Sequence, residues 1–249
     1  MIILCNFSKI KYFVYGMQIF DSSMSAMKYT ILLLSILFAC NTSSTKNRLE
    51  EKEIKINKPS ISYDTMLIRV NDLKKECQHL NPNQAGIMFS NFVDSNLFPY
   101  WYGTPWDYNG VTQTPNDGYI ACGYFVTTIL RDMQVNIHRV KMAQCASEQM
   151  INSLTNKKAN YSRLPFQSFI EKVKQNGKGL SIIGLDNHTG FLYHDGEELY
   201  FIHSSYVGTG RVIKEIAQDN SILQNSNYKV VGYISQDAQF IKKWLAFKP

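Results

Sequence analysis

Residues 116–133 read NDGYIACGYFVTTILRDM. An extended run carrying Gly and Asp passes at Cys122 into an apolar segment. There Phe125, Val126, Ile129, Leu130 and Met133 recur three and four positions apart. That spacing predicts an inward-packing helix headed by a thiol. The residues before it, Tyr119, Ile120 and Ala121, carry no side chain that caps a helix, so first-turn N–H groups stay available. Those groups, with the positive end of the helix dipole, favour a thiolate and form a natural cradle for an oxyanion. Small neighbours, Ala121 and Gly123, let a substrate backbone come close.

Upstream, SISYDTMLIRVNDLKKECQHL (60–80) places Met66, Val70, Leu73 and Cys77 at helical spacing. NPNQAG then breaks the pattern, and IMFSNFVDSNLF (87–98) reads as a second short helix ending before Pro99. The stretch PYWYGTPWDYNGVTQTPNDGY (99–119) is dense in Tyr, Trp, Gly, Pro and Asn and reads as a structured loop lined with aromatic rings. Downstream, KMAQCASEQMINSL (141–154) predicts a helix with Cys145 on or beside its apolar face, a core or disulfide position, and PFQSFIEKVKQNGKG (165–179) a helix with a Gly stop. The period then changes. GLSIIGL (179–185), HTGFLYH (188–194), ELYFIHSSY (198–206) and YKVVGYIS (228–235) read as strands, with DGE (195–197) a tight turn between the second and third. DAQFIKKWLAF (237–247) closes as an amphipathic helix. Helices followed by a strand meander describe an α+β domain whose sheet packs against the Cys122 helix.

The chain has 249 residues, 45% hydrophobic and 18% charged, the composition of a folded domain with an extra segment. Its formal charge is +6, spread without a dense basic block, which gives nucleic-acid binding no support and stays compatible with an anionic polymer such as a cell wall. Near the N-terminus, Met27 and Lys28 precede an apolar run from Ile31 to Ala39 that stops at Cys40. A basic start, a short apolar core and a small residue before the break make a secretory signal, too short to span a bilayer. LFAC, with Leu37 and Ala39 before Cys40, resembles the bacterial lipobox, whose cysteine is lipidated and becomes the mature N-terminus. An ordinary signal with a coincidental cysteine is the plainer alternative. On this reading the true start is Met24 or Met27, residues 1–39 comprise an upstream segment and the signal, 40–59 form a flexible lipidated tether, and 60–249 the folded domain. The protein is then expected as a monomer anchored by lipid on the periplasmic side of a bacterial membrane. Of the cysteines that remain, either Cys77 pairs with Cys145 or none pairs, and both versions leave a free thiol at Cys122.

A thiol nucleophile needs a base, and the base an orienting partner. His188 begins one predicted strand and His203 ends the next, so across the DGE turn both fall toward one end of the sheet. There one imidazole can hydrogen-bond the other and fix its tautomer. At these residues the chain resembles the NlpC-type cell-wall peptidases, a papain-like family of cysteine endopeptidases. YWYGTPWDYNG, IACGYFVTTILRDM, HTGFLYHDGEELYFIHSS and YVGTGRV follow the order of that family's motifs from about Tyr100 to Val212. The resemblance implies that Cys122 is the nucleophile, His188 the general base and acid, and His203 the polar third member. Tyr102 would line the oxyanion side or the substrate cleft, with Trp101 and Asp117 as further substrate contacts. It implies a papain-like domain that needs no metal or organic cofactor. The expected reaction cleaves an amide of peptidoglycan stem peptides, commonly the link from γ-D-glutamate to a diamino acid. The family usually has Asp-Cys-Ser-Gly at the nucleophile, where many members use the Asp and Ser to hold a free peptide N-terminus. Here Ala121 and Gly123 flank Cys122, and Asp117 is the candidate stand-in for the acid.

Other readings compete. A zinc site built from Cys122, His188, His194 and His203 lacks the tight ligand spacing of structural zinc. A lipid-anchored module that binds wall peptides without cutting them would suit the aromatic loop but has no use for Cys122, His188 and His203 together. A Cys-His hydrolase or acyltransferase acting on another amide or ester fits the altered flanks of Cys122.

Overall fold

The computed structural model describes residues 59–248. The expected signal, Cys40 and the tether up to residue 58 lie outside them, and no helix among the described residues is long and apolar enough to cross a membrane.

Helix α1 (Tyr63–Cys77) starts where Ser62 accepts the Thr65 N–H at 3.2 Å, and it buries Met66, Val70, Leu73 and Cys77. Helix α2 (Pro82–Phe92) begins inside the segment read as a breaker. Asn81 and Gln84 form a reciprocal capping box, and Pro82 occupies the first turn, where its missing N–H costs nothing, so NPNQ is a start signal as well as a stop. The helical path also runs past Pro99. A π-turn (Val93–Leu97) leads into α3 (Phe98–Trp101), and the wider turn takes in the proline without a mid-helix clash.

Helix α4 (Cys122–Asp132) is the apolar segment of the opening stretch, and Phe125, Val126, Ile129 and Leu130 are fully buried along it. The segment read as one helix around Cys145 is two, α5 (Arg139–Ala143) and α6 (Ser147–Leu154), with Cys145 in the turn between them. Helix α7 (Phe166–Gln175) stops at Gly177, whose φ of 89° is readily adopted only by glycine. Helix α9 (Ala238–Ala246) is capped by Asp237, which accepts the Gln239 N–H at 2.8 Å.

The fold is α+β, with six antiparallel strands among the described residues in the order β1-β6-β2-β3-β4-β5. These are β1 (Lys158–Asn160), β2 (Gly179–Leu185), β3 (Thr189–His194), β4 (Leu199–Ser204), β5 (Val212–Ile216) and β6 (Lys229–Gly232). β1 and β5 add to the four read from the sequence. Between β5 and β6 the chain makes a 3₁₀ turn (Ala217–Asp219) and helix α8 (Ser221–Asn225). Both faces of the sheet are covered, which is why β2 and β3 are buried at every position rather than alternating with water. Leu180, Ile182, Phe191 and Ile202 share one apolar cluster with α1, α2, α4 and α9, and Ile183, Leu192 and Phe201 share another with α7 and α8. Phe125 of α4 meets Phe191 of β3 edge-on at 5.9 Å between ring centres, so the Cys122 helix lies against the sheet.

Candidate active site

Cys122 is the first residue of α4, and Ala121 before it is extended with no side-chain cap. The entry is held from both sides. Ala121 N–H donates to Gly110 at 2.8 Å, and the Ile120 carbonyl accepts from Ser204 Oγ of β4 at 2.7 Å. The Arg139 guanidinium fixes the loop in front, donating to the carbonyls of Val111 at 2.9 Å and Thr112 at 2.8 Å and to Thr128 Oγ1 at 2.7 Å. Gly123 packs so closely on α5 that a Cβ there would strike the Ala143 carbonyl oxygen.

The half-buried thiol of Cys122 opens into a cleft of about 600 Å³ that His188 and Thr189 also line. Burial pushes the thiol pKa up, and the N–H groups of Thr189, Gly123 and Cys122, which favour the anion, oppose this without overcoming it. His188 precedes β3. Burial, then the neighbouring His203, hold its pKa well below the ordinary histidine value. Its Nε2 lies 2.8 Å from His203 Nδ1, while its Nδ1 is buried without a hydrogen-bond partner among the described residues. An orphaned buried nitrogen is costly in a folded core, and this one belongs to a histidine that lines the same cleft as the Cys122 thiol. His203, on β4, is fully buried, stacks on Phe201 at 4.0 Å between ring centres, and is pushed down to about 3 by burial. Both resting groups are therefore neutral, a thiol and an uncharged imidazole that line one cleft.

The chain of contacts continues past the histidines. His203 Nε2 lies 2.8 Å from Glu215 Oε2 on β5, and Asn220 Nδ2 donates to that same oxygen at 2.7 Å. Neither residue was singled out in the sequence. The signal available was the β-branched-rich run VIKEI after a Gly-containing turn, since a strand there pairs with β4 and sets Glu215 diagonally across from His203.

The remaining candidates fall elsewhere. Trp101 is fully buried in the core, donating its indole N–H to Tyr63 Oη at 2.8 Å, and it does not line the cleft. Tyr102 also stands outside the lining, with a buried hydroxyl that has no partner among the described residues. Asp117 is exposed on the loop, away from the lining, so the carboxylates at the cleft are Glu148 and Asp186 instead. His194 turns to the Gly177 carbonyl at 3.0 Å at the far end of β3, and among the described residues no group of three or more His, Cys, Asp or Glu is arranged to hold a metal. Cys77, Cys122 and Cys145 are all free. Cys77 is buried 4.0 Å from the sulfur of Met88, whereas Cys145 joins Cys122 in lining the cleft. No family model matches the chain, and neither a curated protein nor a solved structure shows significant similarity to it.

Proposed function

We propose that this protein is a cysteine hydrolase of the bacterial cell envelope, of the papain-like NlpC type, that cleaves an amide in peptidoglycan stem peptides. The observation that carries the catalytic half is the unpartnered Nδ1 of His188, buried in the cleft that Cys122 opens into and backed by His203. His188 takes the thiol proton as sulfur attacks the carbonyl carbon. The uncapped first turn of α4 supplies N–H donors for the oxyanion. His188 then passes its proton to the leaving amine, and the thioacyl enzyme is hydrolysed by water that His188 deprotonates. The wall-peptide half rests on the ordered motifs from Tyr100 to Val212, and the envelope location on the lipobox-like LFAC ending at Cys40.

A second reading keeps the Cys-His machinery but changes the substrate to another amide or ester. It is favoured by Asp117, the stand-in for the family's acid, lying exposed and outside the cleft lining. The deciding experiment incubates the protein with purified peptidoglycan and reads released fragments by mass spectrometry, with Cys122→Ala alongside. A stem-peptide cut made by the native chain and abolished in the variant is the expected result. No cut with a thiol that alkylates readily moves the reading to another acyl substrate, and no cut with an inert thiol removes the hydrolase.

A further inference from the structure

A neutral imidazole carries one ring proton, and the groups its nitrogens meet decide which nitrogen holds it. In this site the decision can be traced from a group that has no choice. The backbone N–H of Leu223 donates to Asn220 Oδ1 at 2.9 Å as the cap of α8. The amide oxygen of Asn220 is therefore committed, and its Nδ2 is the atom that donates to Glu215 Oε2 at 2.7 Å. With Glu215 ionised, Oε2 accepts from both neighbours, so His203 Nε2, 2.8 Å from it, carries the His203 proton. That leaves a lone pair on His203 Nδ1, which accepts from His188 Nε2 at 2.8 Å. The free lone pair of His188 then falls on Nδ1, the buried nitrogen that has no hydrogen-bond partner among the described residues.

We infer that Asn220 and Glu215 are positioning residues that hold both imidazoles in the Nε2–H form, so that His188 presents Nδ1 as the proton acceptor for Cys122. The role presupposes the Cys122–His188 pairing proposed above. When sulfur attacks, its S–H bond breaks and the proton forms an N–H bond at His188 Nδ1, giving an imidazolium. His203 relays the stabilising pull of the Glu215 carboxylate to that charge without itself gaining or losing a proton. Asn220 has a second effect, because its hydrogen bond lowers the Glu215 pKa against the burial that raises it. Of the titratable groups on the surrounding described elements, the neutral His203 is the one hydrogen-bonded to Glu215. Lys214 is paired at 2.6 Å with Asp94 on the opposite face of β5, Asp219 is exposed in the 3₁₀ turn, and Glu171 of α7 accepts from Gln167.

The test uses the full-length chain labelled with ¹⁵N, reading the ring nitrogens of His188 and His203 by long-range proton–nitrogen correlation, and following iodoacetamide capture of Cys122 against pH. In the native chain both rings should show a protonated Nε2 and a bare Nδ1. Glu215→Ala should give averaged shifts of exchanging tautomers in both rings and slow capture roughly tenfold at neutral pH. Glu215→Gln, whose carbonyl oxygen accepts from both neighbours, should restore the native tautomers and most of the rate. Asn220→Ala leaves the carboxylate in place and should move the acid limb of the capture profile to higher pH. A proton on Nδ1 of native His188 overturns the inference even if Glu215→Ala does not fold, and so does a Glu215→Ala chain with native tautomers and an unmoved profile. None of these readouts needs a wall peptide. Native tautomers as expected, with peptidoglycan left uncut, sustain the positioning roles and reject the substrate.

Discussion

At the residue scale the deciding competition is between the helix terminus and desolvation at Cys122. The sequence places a thiol where first-turn N–H groups and the dipole favour its anion, an effect worth about 0.3–1 kcal/mol at exposed sites. Burial works the other way and prevails, pushing the thiol up while the same burial pushes His188 down. The pair thus rests as thiol and imidazole, and in the proposed mechanism the proton moves when substrate arrives. Capture of Cys122 by iodoacetamide should therefore keep climbing through the alkaline range instead of levelling off near neutrality. His188→Ala should lower the neutral-pH rate by at least roughly tenfold, since general-base help is typically worth more than that. A plateau reached below pH of about 7, where preformed thiolates of depressed pKa titrate, would contradict the resting state described here.

At the element scale, α4 delivers the thiol by the way it seats on α5. The packing of Gly123 on the Ala143 carbonyl leaves no room for a methyl group. Gly-to-Ala in a helix ordinarily gains about 1 kcal/mol from propensity. Here the clash is with backbone, which cannot rotate away, and overpacking of that kind costs about 1–3 kcal/mol. The second effect should win, so Gly123→Ala should lower the urea midpoint and slow capture of Cys122 together. This seat also explains why the helix read through Cys145 is broken. The pattern Met142, Cys145, Gln149 and Met150 suits one continuous helix, but it cannot register the close approach of α4 to the turn. The capping chemistry of NPNQ was legible in principle, since Asn, Pro and Gln at those positions are all start signals.

At the scale of the whole molecule, the buried histidines tie stability to pH. His203 titrates near its ordinary value when unfolded, about 6.5, and is pushed down to about 3 in the folded chain. The unfolded chain therefore binds the proton more readily, and folding free energy falls as pH drops from about 6.5 toward the folded value, by ~1.4 kcal/mol for each unit of that window. His188 adds in the same direction. Urea unfolding at neutral pH and at successively lower pH should show this decline, and His203→Gln, which has no proton to gain, should flatten it. An equal decline in the variant would place the acid sensitivity elsewhere. The sheet that buries these rings is sealed on both faces, which is why His203, at the end of a strand and adjacent to a loop, is nonetheless inaccessible to water.

By itself the sequence determined the local elements: the amphipathic helices, the DGE hairpin, the α+β order and a cysteine at the head of an uncapped helix. Each depends on neighbours within one turn or one hairpin, where periodicity and turn chemistry act directly. The contact between His188 and His203 belongs to the same class, because a tight hairpin brings residues 15 apart within hydrogen-bond reach, two positions off direct register. Only the tertiary structure decided the rest. It inserted β6 between β1 and β2, sank Trp101 into the core against Tyr63, and carried Glu215 and Asn220 to the far side of His203. Those placements follow from which distant apolar faces bury one another, and no window of adjacent residues contains that choice.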